Sequence, residues 1–213
     1  ADIKKVITKA NTVQSKWKKT SIAERAGVCN AMVDFLTGNE EEIAEQLCWM
    51  MGRPIRYCKS EVAGMAERAR YMISAAEAAL KTIMLEEKLG FKRYIKREPL
   101  GVVVVIAPWN YPYLTAINTI IPAIMAGNTV VLKHSAQTPL CAEQFAKAFE
   151  QACQSFSAAQ DIFQYLHLSH HETEKLISNP SINYVAFTGS VAGGEMVERA
   201  ASGRFIGIGL ELG

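Results

Sequence analysis

Hydrophobic positions follow two rhythms along this chain. Up to about residue 88 they recur every three or four residues, the spacing of helices with one buried face. Ile22, Ala26, Cys29, Val33 and Leu36 share one such face. Val62, Met65, Ala69, Met72, Ala76, Leu80 and Ile83 form a second, longer stripe. Ser21-Ile22-Ala23-Glu24 reads as a capping box, in which serine accepts an amide and glutamate reaches back. Asn39 ahead of Glu40-Glu41-Glu42 predicts another helix start, with acid at the positive end of the dipole. Met51-Gly52-Arg53-Pro54 interrupts the pattern.

From Val102 the rhythm changes. Val102 to Ile106 is an unbroken apolar run rich in β-branched residues, as expected of a strand buried on both faces of a parallel sheet. The stiff segment Pro108-Trp109-Asn110-Tyr111-Pro112 follows, then a helix pattern from Leu114 to Met125 stopped by Gly127-Asn128, then a strand from Thr129 to Lys133. This is one βαβ unit. Thr138-Pro139 predicts a helix start with threonine as cap, running to about Ala152. A strand at Ile162 to Leu166, a capping box at Ser169 to Glu172, a strand at Ile182 to Phe187, a helix to about Ala201 and a strand from Phe205 to Leu212 complete the alternation. The fold class that follows is α/β, with amino-terminal helices (1–98) ahead of a doubly wound parallel sheet (99–213). Phe91 to Glu98, FKRYIKRE, is basic and reads as an exposed strand guarded by charge.

Ligands of open α/β sheets bind beyond the carboxyl ends of the strands. Asn110 and Lys133 stand there. Asn110 suits an oxyanion, which needs a donor fixed in advance; it equally suits a turn asparagine bonded to its own backbone. Lys133 ends a buried strand and should reach either solvent or an anion. Gly189-Ser190-Val191-Ala192-Gly193-Gly194 joins strand to helix; it is either a tight connection or a phosphate cradle, and it is not GxGxxG. Glu211 lies in the apolar run GIGLELG, where partial desolvation would raise its pKa towards a general base, unless it simply faces solvent.

Three segments together carry a resemblance. Ala107-Pro108-Trp109-Asn110 followed by a helix, Gly-Asn and VVLK, then Phe187-Thr188-Gly189-Ser190, then Leu210-Glu211-Leu212-Gly213, resemble the aldehyde dehydrogenase superfamily in that order. The resemblance covers nearly all of the chain and implies a Rossmann-like coenzyme-binding portion, ending before the family's nucleophilic cysteine and without the catalytic domain. It implies Asn110 as oxyanion donor and Glu211 as general base. It places coenzyme contacts at Ile106, Ala107, Pro108, Trp109, Lys133, Ser135, Ala136, Gly189, Ser190, Gly194, Glu211 and Leu212. Where many members carry a glutamate for the ribose hydroxyls, this chain has Ala136, so the coenzyme is NAD or NADP. Gly193 stands where a bulkier residue often walls the adenine. The implied activity of an intact parent is oxidation of an aldehyde, semialdehydes included, to the acid, in a homodimer or homotetramer. Two alternatives stay open: a truncated nucleotide-binding relative without turnover, and a coenzyme A-acylating enzyme, which Glu211 argues against.

Composition narrows the rest. Of 213 residues 49% are hydrophobic, ample for a core, and the net charge is +2, so no global basic field argues for nucleic acid. No apolar stretch approaches the roughly 20 residues of a membrane span, and ADIKKVITKA lacks the core of a signal peptide. Cys29, Cys48, Cys58, Cys141 and Cys153 form no CxxC pair, which favours reduced thiols and a cytoplasmic setting. None has the family nucleophile's context. HLSHH, with His167, His170 and His171, lacks the second acidic or thiol set of a metal site.

Overall fold

The structure, a computed structural model, describes residues 2–213. Four helices come first: α1 (Ile3–Trp17), α2 (Ile22–Gly38), α3 (Glu40–Met51) and α4 (Ile55–Leu80). A short hairpin of β1 (Ile83–Met84) and β2 (Tyr94–Ile95) follows. The remainder alternates: β3 (Val102–Ala107), α5 (Pro112–Met125), β4 (Thr129–His134), α6 (Leu140–Ser155), β5 (Phe163–Tyr165), α7 (His170–Ile177), β6 (Tyr184–Gly189), α8 (Val191–Ala201) and β7 (Gly207–Leu212). The five strands pair in parallel in the order β5-β4-β3-β6-β7. The chain leaves β3 towards one edge and returns beside it at β6. The switch point therefore lies between β3 and β6, where a doubly wound sheet opens a crevice.

The unbroken apolar run of β3 is explained by its central place. Val103, Val105 and Ala107 face the layer of α2, α4, α5 and α6, while Val102, Val104 and Ile106 face α1, α7 and α8. Both faces are buried, so alternation is lost. The start of β3 is pinned by two asparagines. Asn128 Oδ1 accepts the Gly101 amide and Asn183 Oδ1 accepts the Val102 amide, each at 2.9 Å. Gly101 has φ +132°, and a Cβ there would lie 2.2 Å from Asn183 Oδ1, so only glycine fits. The helical and sheet portions share one continuous core, from Trp17 and Met65 through Ile120 to Leu132.

Several local expectations change. The stripe through Ile83 breaks at Leu80, because Lys81 turns to ψ 138° and Ile83 enters the hairpin. No Gly or Pro marks that end in the sequence. Asn39 does not cap α3 with its side chain; its amide donates to the Phe35 carbonyl at 2.7 Å and closes α2 instead. Thr138 does not cap α6. Its hydroxyl meets His134 Nδ1 at 3.0 Å. Both capping boxes, at Ser21 and Ser169, form as read. Among the described residues no helix is long and apolar enough to cross a membrane.

Candidate active site

A cleft of about 450 Å³ opens at the carboxyl ends of β3, β6 and β7, the place the topology favours. It brings together Pro108, Trp109, Asn110, Gly189, Ser190, Glu211 and Leu212, from three segments far apart in sequence. Ile106 and Ala107 lie beneath it as buried strand residues. Lys133 pairs in register with Ile106, one strand further from the cleft. Ser135 and Ala136 follow β4 on the same edge, and Gly194 packs in the first turn of α8.

Asn110 makes the turn bond and keeps a donor free. Its Oδ1 accepts the Tyr111 amide at 3.1 Å, so it does bond its own backbone. That bond occupies the oxygen and leaves the side-chain NH2, the donor an oxyanion requires. The side chain is exposed on the cleft wall. Trp109 and Tyr111 flank it, each about half exposed.

The β6–α8 turn is built tightly. Ser190 caps α8, its hydroxyl accepting the Gly193 amide at 3.2 Å. The amides of Val191 and Ala192 take no partner among the described residues, as is general for a first turn without ligand. A Cβ at Gly193 would stand 2.5 Å from the Phe187 ring, and one at Gly194 would stand 2.7 Å from Leu212. The place of a bulkier residue at Gly193 is thus filled by Phe187. Lys133 is half-buried and has no ion-pair partner among the described residues; burial lowers its pKa. Ser135 accepts the Gln137 amide at 3.2 Å, which leaves its proton to donate.

One expectation about Glu211 is corrected. It does line the cleft, opposite Thr188 in register, but it is exposed, not desolvated. β7 is an edge strand, and nothing in these residues covers its outer side. The HLSHH histidines do not converge: His167 meets Glu143 of α6 at 3.1 Å, while His170 and His171 are exposed at the start of α7. Of the basic FKRYIKRE segment only Tyr94–Ile95 forms the exposed strand β2; Arg93 and Arg97 donate to the carbonyls of Glu86 and Lys81, and Lys96 pairs with Glu98.

Three residues support the turn bearing Asn110: Glu61 and Tyr113, which sequence reasoning passed over, and His134, which it weighed only as a metal ligand. Glu61 of α4 is 3% exposed and accepts the Tyr113 and Leu114 amides at 3.2 and 3.1 Å. His134 is 2% exposed; its Nε2 meets the Pro112 carbonyl at 3.2 Å, and burial holds its pKa down at about 4. Tyr113 is fully buried, its ring 5.2 Å from that of Phe145. A signal for Glu61 was present: it sits at helical spacing between Cys58 and Met65, a charge on a buried stripe.

The sequence matches the aldehyde dehydrogenase family over residues 1–213. It is 30% identical over 212 residues to 3,6-anhydro-alpha-L-galactose dehydrogenase of Streptomyces coelicolor, covering 99% of this chain and 42% of that protein. It is also 30% identical over 214 residues to succinate-semialdehyde dehydrogenase (NADP(+)) 1 of Mycobacterium bovis, covering 100% of this chain and 46% of that protein. The fold superposes on succinic semialdehyde dehydrogenase from Streptococcus pyogenes, solved with NADP+, with a TM-score of 0.91 at 26% identity, over 100% of this chain and 46% of that one. The chain thus spans under half the length of the curated relatives it matches. With the parallel sheet, the switch-point cleft and the family match agreeing, the chain belongs to the aldehyde dehydrogenase family.

Proposed function

We propose that this chain is the coenzyme-binding portion of an enzyme that oxidises an aldehyde to the acid with NADP or NAD. The observation that carries the reading is the convergence of Asn110, Glu211 and the Gly189-Ser190 turn on one cleft. The residues fit a dinucleotide. The glycines of the β6–α8 turn permit close backbone approach, the start of α8 offers amides to a phosphate, and Lys133 is a half-buried cation without an internal partner among the described residues. Ala136 is exposed and brings no carboxylate to the ribose, which favours acceptance of a 2′-phosphate beside Lys133 and Ser135. The names of the mycobacterial and streptococcal relatives point the same way, and to a semialdehyde as substrate.

In this mechanism a thiolate attacks the aldehyde carbon, and the Asn110 amide donates to the oxyanion that forms. The thiol comes from elsewhere in the intact protein: Cys29, Cys141 and Cys153 are buried with their thiols pushed up, and none of the five cysteines lines the cleft. A nicotinamide coenzyme held by the β6–α8 turn and Lys133 would supply the hydride acceptor for this oxidation. Glu211 then takes a proton from the water that attacks the thioester, releasing the acid and the thiol. Its exposure is consistent with that role once the rest of the protein closes over β7. The free cysteines support a reducing, cytoplasmic setting, and the family supports a homodimer or homotetramer.

Asn110→Ala in the intact protein tests the reading. Loss of one oxyanion donor lowers turnover about 100-fold or more. A fall of less than about threefold makes Asn110 a turn residue only.

A further inference from the structure

We propose that Glu61, a buried carboxylate on α4, is a positioning residue for Asn110, an inference that rests on the oxyanion reading above. The first turn of α5 has no cap of its own. Tyr111, at the cap position, offers no side-chain bond, and no acid lies in that turn. Pro112 has no N–H to satisfy, but the next two amides, of Tyr113 and Leu114, enter the core with α5. Unpaired, they would each carry a full desolvation cost. Glu61 Oε1 accepts both, at 3.2 and 3.1 Å, from a helix 52 residues earlier in the chain. A carboxylate at this end also meets the positive pole of α5.

The other carboxylate oxygen sets the register of the turn. Arg53 Nη1 donates to Glu61 Oε2 at 3.0 Å, with the Glu61 side chain fully buried. The same guanidinium lies 5.3 Å from the centre of the Tyr111 ring. Tyr111 in turn donates its amide to Asn110 Oδ1. A continuous set of contacts therefore runs from Glu61 through Arg53 and the α5 amides to Tyr111, and from Tyr111 to the Asn110 carboxamide. Releasing Glu61 frees the first turn of α5 and, with it, the direction in which the Asn110 NH2 points. Misplacing a donor by about 1 Å can cost about 100-fold in rate. The coenzyme contacts proposed at Lys133 and Ser190 lie on other elements and do not depend on this cap.

The experiment compares turnover and coenzyme affinity in the intact protein. Glu61→Leu keeps bulk and removes the acceptor. It should lower kcat at least about tenfold while the NADP+ dissociation constant stays within about threefold. Glu61→Gln, which retains an acceptor oxygen for the two amides, should recover most of that loss. Combined with Asn110→Ala, Glu61→Leu should add less than about threefold, because both act at one donor. Amide exchange at Tyr113 and Leu114 should quicken at least about tenfold in Glu61→Leu. If Glu61→Leu does not fold, Arg53→Met should show a smaller loss with the same dependence on Asn110.

Undiminished kcat in Glu61→Leu or, should that variant not fold, in Arg53→Met overturns the proposal. So do losses that multiply with Asn110→Ala, or unchanged exchange at the two amides. If Asn110→Ala itself leaves turnover intact, the oxyanion reading fails, and the amide exchange still decides whether Glu61 holds the turn.

Discussion

Acid should loosen this fold through His134, and the size of the effect follows from its surroundings. The ring is 2% exposed and makes two hydrogen bonds, Nε2 with the Pro112 carbonyl at 3.2 Å and Nδ1 with the Thr138 hydroxyl at 3.0 Å. A carbonyl can only accept, so Nε2 carries the proton, and Nδ1 accepts from Thr138. A second proton would have to displace that hydroxyl bond and place a charge in an apolar shell. Burial accordingly depresses the pKa from the ordinary 6.5 to about 4. An unfolded histidine titrates near 6.5, so between that pH and about 4 the unfolded chain binds the extra proton. The sign is fixed by this: the contribution is full above about pH 6.5 and is lost as pH falls towards 4. Each tenfold displacement is worth about 1.4 kcal/mol, giving about 2 kcal/mol lost by pH 5 and about 3 kcal/mol at the limit.

Carboxylates titrate over part of the same range, so the assay is a difference. Urea unfolding of the parent and of His134→Gln, whose amide can still donate to Pro112, is followed from pH 7.5 to pH 5. The parent should lose about 2 kcal/mol more than the variant across that interval, with unchanged m-values. Parallel stability curves for the two proteins would refute the argument and mean that the ring gains a partner on protonation. Because Pro112 opens α5, the same titration should reach the Asn110 turn.

Other perturbations probe the frame and the cleft. Arg25 donates to the Thr20 hydroxyl and to the carbonyls of Met125, Trp17, Lys18 and Thr20, so Arg25→Met should cost about 3 kcal/mol or more in urea unfolding. Gly101→Ala meets both a positive φ and Asn183 Oδ1, and should cost about 2 kcal/mol or more in the same assay. Ala136→Glu in the intact protein should weaken NADP relative to NAD by about tenfold in kcat/KM, the scale of forfeiting one charge-assisted hydrogen bond to a 2′-phosphate and adding like-charge repulsion; an unchanged ratio would place coenzyme choice elsewhere.

What the sequence disclosed, and what it hid, divide along physical lines. A buried parallel strand writes itself as a continuous apolar run, so β3, β4 and their connection were readable to within a residue or two. Capping boxes were equally plain, because both partners lie within four residues. Single caps were not. Asn39 and Thr138 each have a competing partner, the Phe35 carbonyl and His134, and a short polar side chain takes whichever the fold presents. The end of α4 left no punctuation at all, since the turn at Lys81 is made by ordinary residues. Glu61 was visible as a charge on a buried stripe, but its partners were not: the amides that donate to it lie 52 and 53 residues on and come within reach only when α4 crosses the start of α5.

Glu211 shows where residue-level reading reached its limit. An acid within GIGLELG reads as desolvated, because apolar neighbours in sequence are taken for apolar neighbours in space. In a strand, however, alternate residues face opposite sides, and β7 is paired along one edge only. At its glycines, Gly207 and Gly209, the Tyr184 side chain lies 2.7 and 2.6 Å from where Cβ atoms would be. They bring no apolar bulk to shield the carboxylate. On the proposed reading of Glu211 as a base, its enclosure would come from a surface laid over β7, where Thr188, Gly209 and Glu211 line an open hollow. The proposed donor, Asn110, precedes a helix start that Glu61 and His134 hold through the Tyr113 and Leu114 amides and the Pro112 carbonyl. The proposed base, Glu211, is exposed. An oxyanion donor has to be rigid before substrate arrives, whereas a base can acquire its surroundings on assembly, and the proposed roles of Asn110 and Glu211 divide along that line.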